Sequence, residues 1–263
     1  MADQRTIKNV PLQDLHGAPQ VRFRPQDFSS AIWTHGYDAI FETAVRCPCQ
    51  GTSGAPHPDC QNCHGFGYFF INQMRTKALI TGLNRNTETV QWSPELIGTA
   101  AITVRAEDRD LMAYFNRVTL EKEYAIFTEM VLCRIMGNGD LATFLTYAPL
   151  EIQAVWRYDG PESPLVKLNP NEYSVSPDNP YAVRFLTGLM AGGTAISVLY
   201  KHRVEYHLID LPHEVRASTG KNKKSGALER LEMPIQGIGR RTHLIDMRRP
   251  NYDGTGVINN DEF

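Results

Sequence analysis

The feature that most constrains this chain is the stretch from Arg46 to Gly67, RCPCQGTSGAPHPDCQNCHGFG, which holds four of its five cysteines. Cys47 and Cys49 stand one residue apart, and Cys60 and Cys63 stand two residues apart. Two tight turns that each present two thiols on one side make a tetrahedral four-sulfur metal site. Glycine follows each pair: Gly51 and Gly54 after the first, Gly65 and Gly67 after the second. A chain that wraps an ion needs positive φ and close backbone approach just past its ligands, and glycine permits both. Amide N–H groups placed there can donate to thiolates and stabilise their charge. The intervening TSGAPHP is rich in turn formers and carries no apolar periodicity.

The spacing assigns Cys47, Cys49, Cys60 and Cys63 as metal ligands, with structural zinc as the expected ion. An iron–sulfur cluster is an alternative that four thiolates also suit. Disulfides are a third reading, disfavoured because no signal-peptide pattern opens the sequence. His57 and His64 could replace one sulfur, but four cysteines already fill a tetrahedron, so both are expected as exposed loop residues. Cys133, in the apolar run EMVLCRIM, is expected as a core thiol. The second half of the stretch, CQNCHGFG, resembles one repeat of the zinc-binding module of DnaJ-type chaperones. That resemblance covers eight residues, and CPCQGTSG departs from it. No four-repeat array is present, so the knuckle geometry carries over and the chaperone function does not.

The 263-residue chain as a whole reads as mainly β. Its 20 glycines and 16 prolines are scattered, which suits short strands joined by turns better than long helices. A net charge of −2 argues against broad electrostatic attraction to nucleic acid. No apolar run approaches the ~20 residues needed to cross a membrane as a helix. The expected architecture is two small β-sandwich or barrel-like domains, with the knuckle inserted in the first and extended arms at both ends.

In chain order, residues 1–30 read as an extended N-terminal arm broken by Pro11, Pro19 and Pro25. Residues 31–136 form the first β domain, with the knuckle at 46–67. Ala39, Phe41, Thr43 and Val45 alternate on a strand leading into the knuckle, and GYFFINQMRTKALITGLN is the strand leaving it, with Tyr68, Phe70, Asn72 and Met74 on one face. Asn84 to Asn86 supply a turn. The run from Tyr124 to Met136 has helical spacing as well, but its β-branched and aromatic content favours strand. GNGD at 137–140 marks the domain boundary. Residues 137–218 read as a sandwich of short strands. Residues 219–263 comprise a mobile basic loop with Lys221, Lys223 and Lys224, then a C-terminal arm with too few apolar residues to fold alone.

No catalytic constellation emerges. GIGRR lacks the third glycine and the preceding strand of a dinucleotide loop. His202, His207 and His213 could form a cluster, but their spacing does not place all three on one strand face, and they are expected as partly exposed. The acidic pairs Glu107–Asp108 and Glu121–Glu123 read as solvated. The chain is therefore expected to be no enzyme.

The order of features, a proline-broken arm, CPC…CxxCHGxGY, ITGLN, an acidic loop, YDG…YSV…RF…VLYKHRVEY, LPHEVR and a basic tail, resembles the virion structural proteins of tailed bacteriophages, in particular the neck or head–tail connector group. The resemblance spans roughly residues 30–250, and the cysteine stretch is its most specific part. It implies a homo-oligomeric ring of six or twelve copies in the virion neck, assembled in the host cytoplasm. Its partners would be other neck, portal or tail proteins, and it would enclose DNA without sequence-specific binding. A tail or baseplate position, or a zinc-containing nucleic-acid-binding module, is the alternative.

Overall fold

The computed structural model describes residues 25–49, 56, 60, 62–63, 65–82, 97–136, 139–212, 217–221 and 228–245. It opens on a helix, α1 (Pro25–His35), where the N-terminal arm was expected to continue to residue 30. Pro25 starts the helix instead of breaking it. The first helical residue needs no amide hydrogen, and the φ fixed by the proline ring already suits the helix. The helix stops at Gly36, whose N–H donates to the Ile32 carbonyl at 2.8 Å, and a Cβ on Gly36 would lie 2.4 Å from that oxygen. Residues 1–24 of the arm lie outside the described residues.

Two antiparallel strands, β1 (Tyr37–Arg46) and β2 (Tyr68–Gly82), flank the knuckle as expected. Their register jumps from Phe41↔Met74 to Thr43↔Ile71, so β2 carries one extra residue. Asn72, at φ 53°, sits in this bulge, and Asn is among the few residues that tolerate the left-handed region. The bulge reverses which residues of β2 face inward, so Asn72 and Met74 do not continue the face of Tyr68 and Phe70. The turn expected at Asn84–Asn86 lies outside the described residues. β3 (Thr99–Val104) and a 3-10 turn (Ala106–Leu111) follow. Asp108 in that turn is not solvated: it accepts from Thr76 Oγ1 at 2.7 Å and Arg105 Nε at 3.0 Å.

β4 (Arg117–Leu132) takes up most of the run that sequence spacing left open to a helix. β5 (Arg134–Ile135), β6 (Leu141–Phe144), β7 (Pro149–Tyr158), β8 (Val166–Lys167), β9 (Tyr173–Val175), β10 (Ala182–Phe185) and the long β11 (Ala195–Asp210) come next. β12 (Ala217–Lys221) and β13 (Leu228–Glu232) pair with each other, and β14 (Ile235–Arg241) returns to the main sheet.

The main sheet has eight strands in the order β14-β3-β2-β1-β4-β11-β7-β8, and β14 also pairs with β11. The first six therefore close into an antiparallel barrel, which leaves those strands no free edge at the closure. Its interior is filled by Phe41, Ile102, Val104, Val118, Leu208 and Ile235 among others. Beyond the barrel, β4 and β11 continue, carry β7 and β8, and pack against a second sheet of order β5-β6-β10-β9. Tyr147, Val155, Val183, Ile196, Val198 and Tyr200 form the core between the two sheets. The architecture is thus mainly β, a barrel joined to a sandwich.

Two expectations about its division need correction. The main sheet crosses the boundary expected at 137–140, because β4 pairs with β11 over residues 124–132 and 195–203. The two cores sit at opposite ends of the same two strands. The segment 219–263, expected as a mobile loop and arm, instead supplies the β12–β13 hairpin and the strand that closes the barrel. β14 has few apolar side chains because there is no room for them. A Cβ on Gly239 would lie 2.5 Å from Ile102 Cδ1, and one on Gly237 would lie 2.7 Å from Met112 Cε. GIGRR is a close-packed strand. Lys221 ends β12, while Lys223, Lys224 and residues 246–263 lie outside the described residues.

A four-cysteine candidate metal centre

The knuckle grows directly from the β1–β2 ladder. Arg46 pairs with Tyr68, the Cys47 N–H donates to the Gly67 carbonyl at 2.8 Å, and the Phe66 N–H donates to the Cys63 carbonyl at 2.8 Å. Gly65 and Gly67 both adopt φ 82°, the conformation that their place after the second pair required. Gly51 and Gly54 lie outside the described residues.

This backbone brings Cys47, Cys49, Cys60 and Cys63 together, with all four sulfurs within 4.8 Å of one another. The Cys47–Cys60 and Cys49–Cys63 sulfurs are 3.6 and 3.5 Å apart. A disulfide would need about 2.05 Å, and all four thiols are free. A tetrahedron with metal–sulfur bonds of about 2.3 Å has sulfur–sulfur edges of about 3.8 Å. The cluster therefore has the dimensions of a site for a single metal ion, and the four cysteines named from the sequence could hold one. Cys47 and Cys63 are buried, while Cys49 and Cys60 are half-buried.

Amide groups converge on the sulfurs. The N–H groups of Cys63 and Asn62 bring the Cys60 thiol down to about 6, and the neighbouring thiols add to this against the opposing effect of burial. Burial pushes Cys63 up to about 12, opposed by the N–H groups of Gly67 and Gly65. Burial also raises Cys47, opposed by the Cys49 amide. A cation would supply the charge that favours all four thiolates. His57 and His64 lie outside the described residues. Cys133 is buried, as expected, with burial pushing its thiol up to about 11, and it contacts Met190 Sδ at 3.2 Å.

Below the knuckle lies a polar network that sequence reasoning did not single out. Arg117 donates to Glu42 at 2.7 Å and to the Tyr181 hydroxyl at 2.5 Å, and its guanidinium lies 4.1 Å from the Phe70 ring centre. Burial disfavours the Arg117 cation, but Tyr181, Glu205 and Glu42 outweigh it and hold it charged. Burial pushes Tyr181 up to about 12 and raises Glu205, which accepts from Thr242 Oγ1 at 3.2 Å. Between this network and the knuckle, Pro48, Asn62, Phe66, Phe70, Arg117 and Tyr181 line an open cleft of about 500 Å³. Tyr68 stacks on Phe115 at 5.1 Å and seals the base of the hairpin.

The histidines expected to be partly exposed are buried. His202 stacks on Tyr147 at 3.8 Å, and His207 packs against Phe70. Their Nδ1 atoms lie 2.6 Å from the Arg203 carbonyl and 3.2 Å from the Phe115 carbonyl. A carbonyl only accepts, so Nδ1 carries the proton in both rings. Burial lowers both to about 4. The two histidines lie on opposite faces of β11: His202 shares the face of Val198 and Tyr200, which line the sandwich core, while His207 lies on the face opposite Leu208, where Phe70 and Phe115 cover it. His213 lies outside the described residues.

No protein-family model matches this chain, and no curated protein matches it.

Proposed function

We propose that this chain is a structural protein of a tailed-phage virion, a ring-forming component of the neck that joins the portal to the tail, with one zinc ion in the four-cysteine site. The observation that carries the reading is the four-cysteine knuckle at the tip of a hairpin in a mainly β body, set within an order of features that resembles that of connector proteins. A knuckle with little apolar core of its own needs a cross-link to hold its shape. The compact sulfur cluster supports a single zinc ion over a multi-iron cluster, whose ligands stand further apart around its bridging sulfides.

A neck component surrounds DNA that must pass without being gripped, and the near-neutral charge of the chain supports such a passage. The role is one of position and stiffness, and the chain performs no chemistry in it. Electron microscopy of the purified protein, with elemental analysis, tests the reading. Rings of six or twelve copies with one zinc per chain are expected. A monomer that binds duplex DNA tightly at physiological salt would overturn it in favour of a nucleic-acid-binding zinc module.

A further inference from the structure

Between Glu121 and Val131, β4 has β11 on one side and no strand on the other among the described residues, because β1 leaves it after pairing Ala39 with Leu120. This is an open edge in the middle of the molecule. The direction of its backbone groups is fixed by its ends. Cys133 donates to the Thr194 carbonyl and accepts from the Gly193 N–H, so odd-numbered residues turn their backbone groups toward β11. The Leu132 carbonyl points the other way, where it accepts from Thr143 Oγ1 at 3.1 Å. Even-numbered residues of β4 therefore present their N–H and C=O groups to the open edge.

The side chains of those even residues lie on the outer face of the sheet. Tyr124, Ile126, Met130 and Leu132 are 63, 58, 75 and 55% exposed. Long apolar edges are the strands that natural proteins otherwise protect with charge, proline or a covering element. The arrangement is symmetric about Thr128: Ile126 and Met130 stand two residues either side of it, and Tyr124 and Leu132 stand four residues either side. In an antiparallel pair centred on Thr128, the partners are Thr128 with Thr128, Ile126 with Met130, and Tyr124 with Leu132. Every apolar side chain then meets an apolar one, and the Thr128–Thr128 and Ile126–Met130 pairs are of the hydrogen-bonded kind that the even-residue backbone groups require, while the Leu132 carbonyl keeps its Thr143 partner. Shifting the centre by one residue sets Ile126 against Thr128 and Lys122 against Leu132.

We propose that this edge is a two-fold interface between two copies of the chain, formed by antiparallel pairing of β4 with its copy about Thr128. A two-fold contact needs one surface that complements itself, and this strand has that property. Four large side chains exposed by half or more offer on the order of 400 Å² per copy, about half of a standard interface, and the backbone edge and its flanks supply more. The contact does not rest on the neck reading, since it pairs two copies whatever assembly they join.

The test is crosslinking of the full-length, zinc-loaded chain. Thr128 faces its own copy at a Cα separation of about 5.5 Å, within disulfide range. Thr128→Cys is expected to form a covalent dimer on mild oxidation or with a short bis-maleimide. Tyr124→Cys and Leu132→Cys are expected to crosslink only when mixed. Met130→Lys should weaken self-association at least tenfold in analytical ultracentrifugation while keeping the circular dichroism spectrum. Crosslinking of Phe127→Cys in preference to Thr128→Cys would overturn the register. A Thr128→Cys protein that stays monomeric under oxidation would overturn the interface and show the edge covered by the chain's own segments or left free.

Discussion

The four-cysteine site makes a quantitative prediction through Cys63→Ser. Cys63 is 2% exposed, and its sulfur lies 3.5 Å from that of Cys49. Removing it leaves three sulfurs, and the ion is expected to be lost. The outermost loop that the ion closes runs from Cys47 to Cys63, seventeen residues. By the chain-entropy argument used for cross-links, closing a loop of this length is worth about 3 kcal/mol, or roughly a hundredfold in a local opening equilibrium. The loss should be local, because the β1–β2 ladder below the knuckle is one hairpin of a closed barrel. Hydrogen exchange by mass spectrometry should therefore show protection falling by up to about a hundredfold in residues 43–46 and 68–71. Peptides from β7 and β10 in the sandwich should be unchanged. A Cys133→Ser control should keep one metal per chain. The reasoning fails if Cys63→Ser retains a full equivalent of zinc, or if it loses protection evenly throughout the chain.

Other outcomes follow from the barrel and the sandwich core. Gly239→Val should destabilise the fold by about 2 kcal/mol or more, since its side chain would have to displace Ile102 and Tyr206, and a denaturant titration checks this. Glu129 accepts from the Thr146 N–H, the Thr146 hydroxyl and the Tyr200 hydroxyl at 2.5–2.8 Å; Glu129→Ala strands these donors and should cost about 1–3 kcal/mol in the same titration. His202 and His207 are held near 4 in the fold against 6.5 unfolded. Their contribution is complete above about pH 6.5 and is lost as pH falls toward 4. Unfolding then takes up as many as two protons, a slope of up to about 2.7 kcal/mol per pH unit. The raised carboxyl of Glu205 acts in the opposite sense and offsets part of the loss at the acid end. Urea midpoints at pH 7, 6 and 5 measure the slope, and a flat profile would contradict it.

The knuckle was legible because ligand chemistry leaves a local mark: cysteine spacing and the glycines at 65 and 67 need no tertiary context. The strands around it were legible from alternation until a bulge intervened. In β11, His202 shares the even-numbered face of Ile196, Val198 and Tyr200 on the sandwich core, and Leu208 continues that parity into the barrel, so His207 stands on the other face. Alternation places the two histidines on opposite faces, but the burial of the second comes from Phe70 and Phe115, which no local pattern announces. β14 was hidden for another reason. Apolar content marks a strand that fills a core, whereas Gly237 and Gly239 mark one that approaches it too closely for side chains. Pro25 shows a third limit, since proline stops a helix from within but suits its first turn. The Arg117 network joins residues from four separate strands and loops, so no sequence window contains it.

The sharing of β4 and β11 between barrel and sandwich has a mechanical consequence. Each spans sixteen residues, about 50 Å of extended chain. A load applied at the knuckle end reaches the sandwich along these two uninterrupted strands, without crossing a flexible linker. The ladder between the two strands is interrupted where the register passes from Arg203↔Tyr124 to Glu205↔Thr119. Bending or twist of one half against the other would concentrate at that step, with the buried Glu205 and Arg117 beside it resisting the motion. The two halves should accordingly melt together, in one transition.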